Sequence, residues 1–111
     1  MFEHSRQGAV DVVTGREPLS TEYAEGASRA LHECMQSGQP RLVMDLENVA
    51  LIDSVGLELL LEVRDACQAR GGTLQLAAPN KLCRDILRIT GVVDDFELFD
   101  DVLSAVGSLA I

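Results

Sequence analysis

Two spacings of apolar residues alternate along the chain: short runs with a period of two, and longer segments whose apolar positions recur every three or four residues. The first marks strands and the second amphipathic helices. AVDVVT, residues 9–14, alternates apolar and polar side chains ahead of Gly15, and its β-branched content predicts a strand. A turn around Pro18 follows. From about Ser20 the positions Ala24, Ala27, Leu31 and Cys34 or Met35 fall at helical spacing. Ser20 or Thr21 is the expected N-cap, and Gly38 and Pro40 end the run. RLVMDL, residues 41–46, is almost continuously apolar, as in a central strand of a mostly parallel sheet covered on both faces.

The second half repeats the rhythm. A helix over residues 55–70 puts Gly56, Leu60, Val63 and Cys67 on one stripe with Leu59 and Ala66 beside it, and Gly71-Gly72 stops it. TLQLAA, residues 73–78, alternates as a strand. A helix over residues 80–90 follows, with Leu82, Ile86 and Ile89 inward and Gly91 at its C-terminal cap. FELF, residues 96–99, predicts a short strand. A last helix turns Val102, Ala105, Val106 and Leu109 inward, with Asp100 or Asp101 at its start.

Strands joined through helices predict one α/β domain over residues 1–111, a mostly parallel central sheet of four to five strands with about four helices. In such a fold the loops that follow the strands gather at one edge of the sheet, where ligands usually bind. Asp53 and Ser54, in the stretch IDSVGLELLLEV, fall in one of these loops.

Composition narrows the partners. Acidic residues outnumber basic ones 18 to 9, a formal net charge of −9, so the long-range field repels nucleic acid and anionic lipid. The amino-terminal MFEHSRQGAV lacks the basic patch and apolar core of a signal peptide, and no apolar run is long enough for direct membrane insertion. These features predict a cytoplasmic protein. Cys34, Cys67 and Cys83 are far apart, with no CxxC and no nearby histidine to complete a zinc set, and are expected as reduced thiols on helices rather than metal ligands. No cofactor motif is present: there is no GxSxG elbow around Ser54 and no glycine-rich phosphate loop. His4 reads as a tail residue and His32 as a surface or boundary side chain, so the chain is not expected to be an enzyme.

For the Asp-Ser pair the residues allow two compatible readings. In one, Ser54 Oγ caps the following helix and Asp53 adds charge at its positive end; Leu57 stands where a reciprocal capping box would need Glu or Gln. In the other, Ser54 is a phosphoacceptor, its accessible hydroxyl held at a helix start where backbone N–H groups favour the product phosphate. Asp45, interrupting an apolar strand, either accepts hydrogen bonds from neighbouring loops or lies at the strand's solvent edge. The stripe Lys81, Arg84, Arg88 reads as a solvated helix face or as a contact for an acidic partner.

LVMDLENVALIDSVGLELLL, then a charged helix, Gly-Gly and TLQLAAPNKLCRDILRITGVVDDFELFDD, resembles the STAS domain family, in particular its anti-sigma factor antagonist branch. The resemblance spans residues 41–101 and fades over the first forty, where GREPLS, residues 15–20, lacks the aspartate of the family's early segment. It implies that Ser54 is the phosphoacceptor and that Asp53, Val55, Gly56 and Leu57 around it contact the partner. It further implies partner switching: the unphosphorylated protein binds an anti-sigma factor with serine kinase activity, phosphorylation of Ser54 releases it, and a serine phosphatase resets the cycle. A second role compatible with the same resemblance is a non-switching STAS subunit of a signalling scaffold or a lipid-transport ATPase complex.

Overall fold

A computed structural model describes residues 1–36 and 38–110, leaving Ser37 and Ile111 outside the described residues. Five strands and four helices follow in the order β1 (Phe2–Gln7), β2 (Val10–Gly15), α1 (Ala24–Glu33), β3 (Arg41–Asp45), α2 (Ser54–Ala69), β4 (Thr73–Ala77), α3 (Lys81–Ile89), β5 (Leu98–Phe99) and α4 (Val102–Leu109). A turn of 3₁₀ helix, Val92–Asp95, precedes β5. The strands lie in the sheet in chain order, with β1 antiparallel to β2 and the other neighbours parallel. The expected α/β domain with a mostly parallel sheet is therefore the observed one.

β3 is central and buried on both faces, which accounts for its unbroken apolar sequence. Leu42 and Met44 join Leu74 and Leu76 of β4 in the larger core, against Leu31 of α1, Leu60 and Val63 of α2 and Leu87 of α3. Val43 points the other way, with Val10, Val12 and Ala77, under Ala105 and Val106 of α4. One face of the sheet is thus covered by three helices and the other by α4.

Gly71-Gly72 ends α2 as expected, and the structure supplies the reason. Gly71 takes φ +76°, its N–H donates to Gln68 O at 3.0 Å, and the Gly72 N–H donates to Cys67 O at 2.8 Å. A Cβ at Gly72 would lie 2.0 Å from Pro40 O, so this turn also fixes the entry into β3.

Several boundaries and faces differ from the sequence reading. Residues 2–7 form an edge strand that no apolar alternation announces, because β1 is almost wholly exposed and is held by its ladder to β2. His4 is accordingly a strand residue, paired in register with Val13, and not a tail residue. α1 begins at Ala24 rather than near Ser20; Tyr23 occupies its N-cap position without a side-chain cap bond, so neither Ser20 nor Thr21 serves there. On α3 the inward positions are Cys83 and Leu87, with Ile86 half-buried, whereas Leu82 and Ile89 are exposed. That helix is apolar on more than one side, so contact with the sheet, not spacing, selects its buried stripe. β5 is reduced to Leu98–Phe99, since Phe96 instead closes the 3₁₀ turn. Of the two candidate caps for α4, Asp101 serves, accepting from the Ser104 N–H at 2.7 Å.

Candidate functional site

The loops after β2, β3 and β4 meet at one edge of the sheet, where β3 leads through residues 46–53 into α2. The loop backbones are tied together before any side chain is considered. The Leu19 N–H donates to Leu51 O at 3.0 Å and the Asp53 N–H donates back to Leu19 O at 3.0 Å, an isolated parallel bridge between Leu19 and Ile52. From the other side, Asn80 Nδ2 donates to Val49 O at 3.3 Å and Ala50 O at 3.2 Å, while Asn80 Oδ1 caps α3 by accepting from the Cys83 N–H at 2.7 Å. Asp45, at the end of β3, is buried and accepts from Thr14 Oγ1 at 3.3 Å and the Glu47 N–H at 3.0 Å. Of its two readings, the bonded loop anchor is the observed one.

The cap of α2 is Asp53, not Ser54. Asp53 has extended backbone (φ −96°, ψ −174°) and its Oδ1 accepts from the Gly56 N–H at 2.9 Å, while Ser54 is the first helical residue. The second oxygen, Oδ2, accepts from the Thr21 N–H at 3.0 Å and from Thr21 Oγ1 at 3.3 Å. These donors stabilise the ionised form and hold the Asp53 carboxyl below its ordinary pKa, the Gly56 N–H contributing most and the Thr21 N–H next. With the cap occupied by its neighbour, the Ser54 side chain is exposed to solvent.

Gly56 is buried because the chain has no room for anything larger. A Cβ there would stand 2.1 Å from Leu19 O, so the close approach of α2 to the loop after β2 requires glycine. Leu57 is half-buried and packs on the larger core, whereas Val55 remains 37% exposed. Leu51, three residues before Ser54 in the chain, is also exposed. Leu82 is exposed two residues beyond Asn80, on the helix whose start is bonded to the same loop. Val55 also opens onto a shallow groove between α1 and α2, floored by Ala24 and Leu59 and rimmed by Glu25, Glu58 and Glu62. This end of the sheet thus presents the exposed Ser54 together with the exposed apolar side chains of Leu51, Val55 and Leu82, and Val55 has three glutamates and Ser28 along its groove.

The basic stripe of α3 is locally compensated: Lys81 pairs with Asp85 at 3.1 Å, Arg84 with Asp100 at 3.3 Å and Arg88 with Asp85 at 3.5 Å. It is thus a solvated, ion-paired face. All three cysteines are buried, and burial pushes each thiol up to about 11.

The sequence profile of the STAS domain family matches residues 3–105. The chain belongs to the STAS domain family. The match includes β1, which the resemblance read from residues 41–101 did not reach. Solved STAS-like structures superpose closely at low identity. An anti-sigma factor antagonist from Mycobacterium paratuberculosis shares 22% identity over 97% of this chain and 92% of its own, with a TM-score of 0.84. An anti-sigma-factor antagonist (STAS) domain protein from Planctomyces limnophilus shares 20% over 99% and 98%, with a TM-score of 0.87. The murine Solute Carrier 26 family member A9 anion transporter shares 19% over 92% of this chain but only 18% of its own, with a TM-score of 0.79. These likenesses establish the STAS fold. Comparison with the curated proteins found no match. Among the described residues, no helix of this STAS domain is long and apolar enough to cross a membrane.

Proposed function

We propose that this STAS domain is a cytoplasmic anti-sigma factor antagonist that works by partner switching through Ser54. Unphosphorylated, it binds an anti-sigma factor that is also a serine kinase; phosphorylated on Ser54, it lets go, and a serine phosphatase returns it to the binding form. The kinase partner supplies the catalytic groups, so Ser54 is a substrate residue and the domain is a regulator, not an enzyme.

The observation that carries the reading is the division of labour between Asp53 and Ser54. Asp53 takes over the cap, leaving an exposed residue with a hydroxyl at the first position of α2, beside a fixed carboxylate; the exposed side chains of Leu51, Val55 and Leu82 on the adjoining loop and helix starts are the docking patch of this reading. A partner docked on that patch buries apolar surface. A phosphate then adds about −1.5 to −2 charges at neutral pH within the contact, where an unmatched charge costs several-fold to thousand-fold in affinity. In this reading Asp53, Val55, Gly56 and Leu57 shape the contact, Gly56 by letting the backbone approach closely and Val55 by direct apolar contact.

The test has two stages. Phosphopeptide mass spectrometry on the protein from its native cells, in growth and under stress, should find phosphate on Ser54 at levels that differ between conditions. The partner recovered with it should then bind Ser54→Ala like the wild type and Ser54→Asp more weakly. Equal binding by both variants, with a complex that persists in every condition, rejects switching. It would place the domain with the non-switching subunits, a role for which the likeness to part of an anion transporter is the supporting observation.

A further inference from the structure

We propose that His4, Asp11 and Cys34 form a binding site for a divalent transition metal of the zinc class, tying β1 to β2 and to the end of α1. The three side chains come from separate elements, yet one ligand atom from each lies within 4.8 Å of the others. His4 Nε2 and Asp11 Oδ1 are already 2.7 Å apart. Asp11 and Cys34 are buried, while the His4 side chain is 39% exposed and keeps one side of the cluster open to solvent. That opening is both an entry path and a free coordination position.

The geometry is close to what zinc needs. Bonds of about 2.0–2.3 Å to nitrogen, oxygen and sulfur set tetrahedral ligand atoms roughly 3.3–3.7 Å apart. From 2.7 Å, His4 and Asp11 must therefore separate by roughly 0.6–1.0 Å, and from at most 4.8 Å the Cys34 sulfur must approach by up to about 1.1–1.5 Å, movements within the reach of side-chain rotation. Charge is also matched. A neutral imidazole, a carboxylate and a thiolate carry two negative charges, which neutralise a dication held by two buried ligands. Imidazole and thiolate together select zinc-like ions over magnesium or calcium.

The surroundings are compatible with this. Arg6 lies 3.9 Å from the same Asp11 oxygen, but its side chain is 62% exposed and free to turn into solvent. Cys34 Sγ, which donates to Ala30 O at 3.4 Å, gives up that weak bond when it becomes a ligand. Neither of the other cysteines belongs to the cluster.

The measurement is a titration of the full chain, freed of metal by a chelator, with Co²⁺ as a spectroscopic probe and then with Zn²⁺. One Co²⁺ per chain should bind with the visible bands of a tetrahedral ion and a sulfur-to-cobalt charge-transfer band, and one equivalent of Zn²⁺ should displace it and raise the thermal unfolding midpoint. Cys34→Ser should abolish the charge-transfer band, and Cys67→Ser should leave it intact. His4→Ala, at an exposed strand position, should weaken Co²⁺ binding by about tenfold or more without changing the circular dichroism of the fold. Absence of the band in the wild type, its survival in Cys34→Ser, or undiminished binding by His4→Ala would each overturn the site and leave His4 as a simple partner of a buried carboxylate.

Discussion

Asp53 and Thr21, 32 residues apart in the chain, are joined by two hydrogen bonds to a single carboxylate oxygen, from the Thr21 N–H at 3.0 Å and the Thr21 hydroxyl at 3.3 Å. The other oxygen caps α2 through the Gly56 N–H. One side chain thus closes the helix start and pins the loop that precedes α1. Its consequence reaches the neighbouring residue: with every capping duty taken by Asp53, the Ser54 hydroxyl faces solvent.

The Asp53 clamp makes the fold acid-sensitive with a defined sign. Its folded pKa is lowered from 3.8, so the stability it contributes is present above that unfolded value and fades as pH falls through the folded one. Asp101, lowered by the Ser104 N–H and hydroxyl, acts in the same direction. Urea midpoints measured from pH 7 down to pH 2 should therefore fall below about pH 4 to 5. Asp53→Asn and Asp101→Asn should each flatten that fall, and a profile unchanged in both variants would contradict the assignment.

Gly56→Ala should be among the more damaging single-methyl additions. The new Cβ would meet Leu19 O at 2.1 Å, which forces α2 away from the loop after β2. Overpacking of this kind costs about 1–3 kcal/mol or more, equivalent to roughly 4–8 °C in the unfolding midpoint per kcal/mol for a domain near this size. Gly107→Ala in α4 is the control: nothing lies within 4 Å of its added Cβ, so it should raise the stability by about 0.4–1 kcal/mol and the midpoint with it. Thermal unfolding followed by circular dichroism separates the two.

If the patch around Ser54 is the docking surface, charge placed on it should act on binding and leave folding alone. Leu82→Asp and Val55→Asp should each weaken the anti-sigma partner by about tenfold or more, since apolar anchors in an interface carry over about 1 kcal/mol each. Leu103→Asp, at a still more exposed leucine on α4 across the sheet, should have no effect. Calorimetric titration of the three variants tests this; a loss with Leu103→Asp equal to the others would move the interface to the α4 face.

The cysteines should be unreactive in the native state. All three thiols are buried and raised to about 11, so little thiolate exists at pH 8 and less is accessible. In metal-free protein, iodoacetamide should label them slowly without denaturant and fully in urea, as intact-mass measurements would show. Rapid native labelling of any one would mean that its helix opens locally far more often than its packing suggests.

How much of this was legible in the chain varies with the kind of interaction. The order of α/β elements was, because each apolar stripe or alternating run reflects burial of its own segment: β3 reads as continuously apolar since both of its faces are covered, and Gly71-Gly72 stops α2 through its own backbone freedom. The place of the Asp53-Ser54 pair, where the loop after β3 enters α2, was visible too. What the sequence could not decide were the relations between segments. β1 is held by a ladder to β2 rather than by burial, so its polar residues carry no signal. Leu82 and Cys83 are both apolar, and only docking against the sheet chose Cys83. The cap passed from Ser54 to Asp53 because Thr21, delivered by a distant loop, and Gly56 offer donors that both fit one carboxylate. His4 and Cys34, 30 positions apart, meet beside Asp11 only when β1, β2 and α1 are assembled. Local patterning therefore determined which elements exist, and the tertiary structure decided which side chains share a site, because hydrogen bonds and ligand clusters depend on three-dimensional distances that periodicity does not encode.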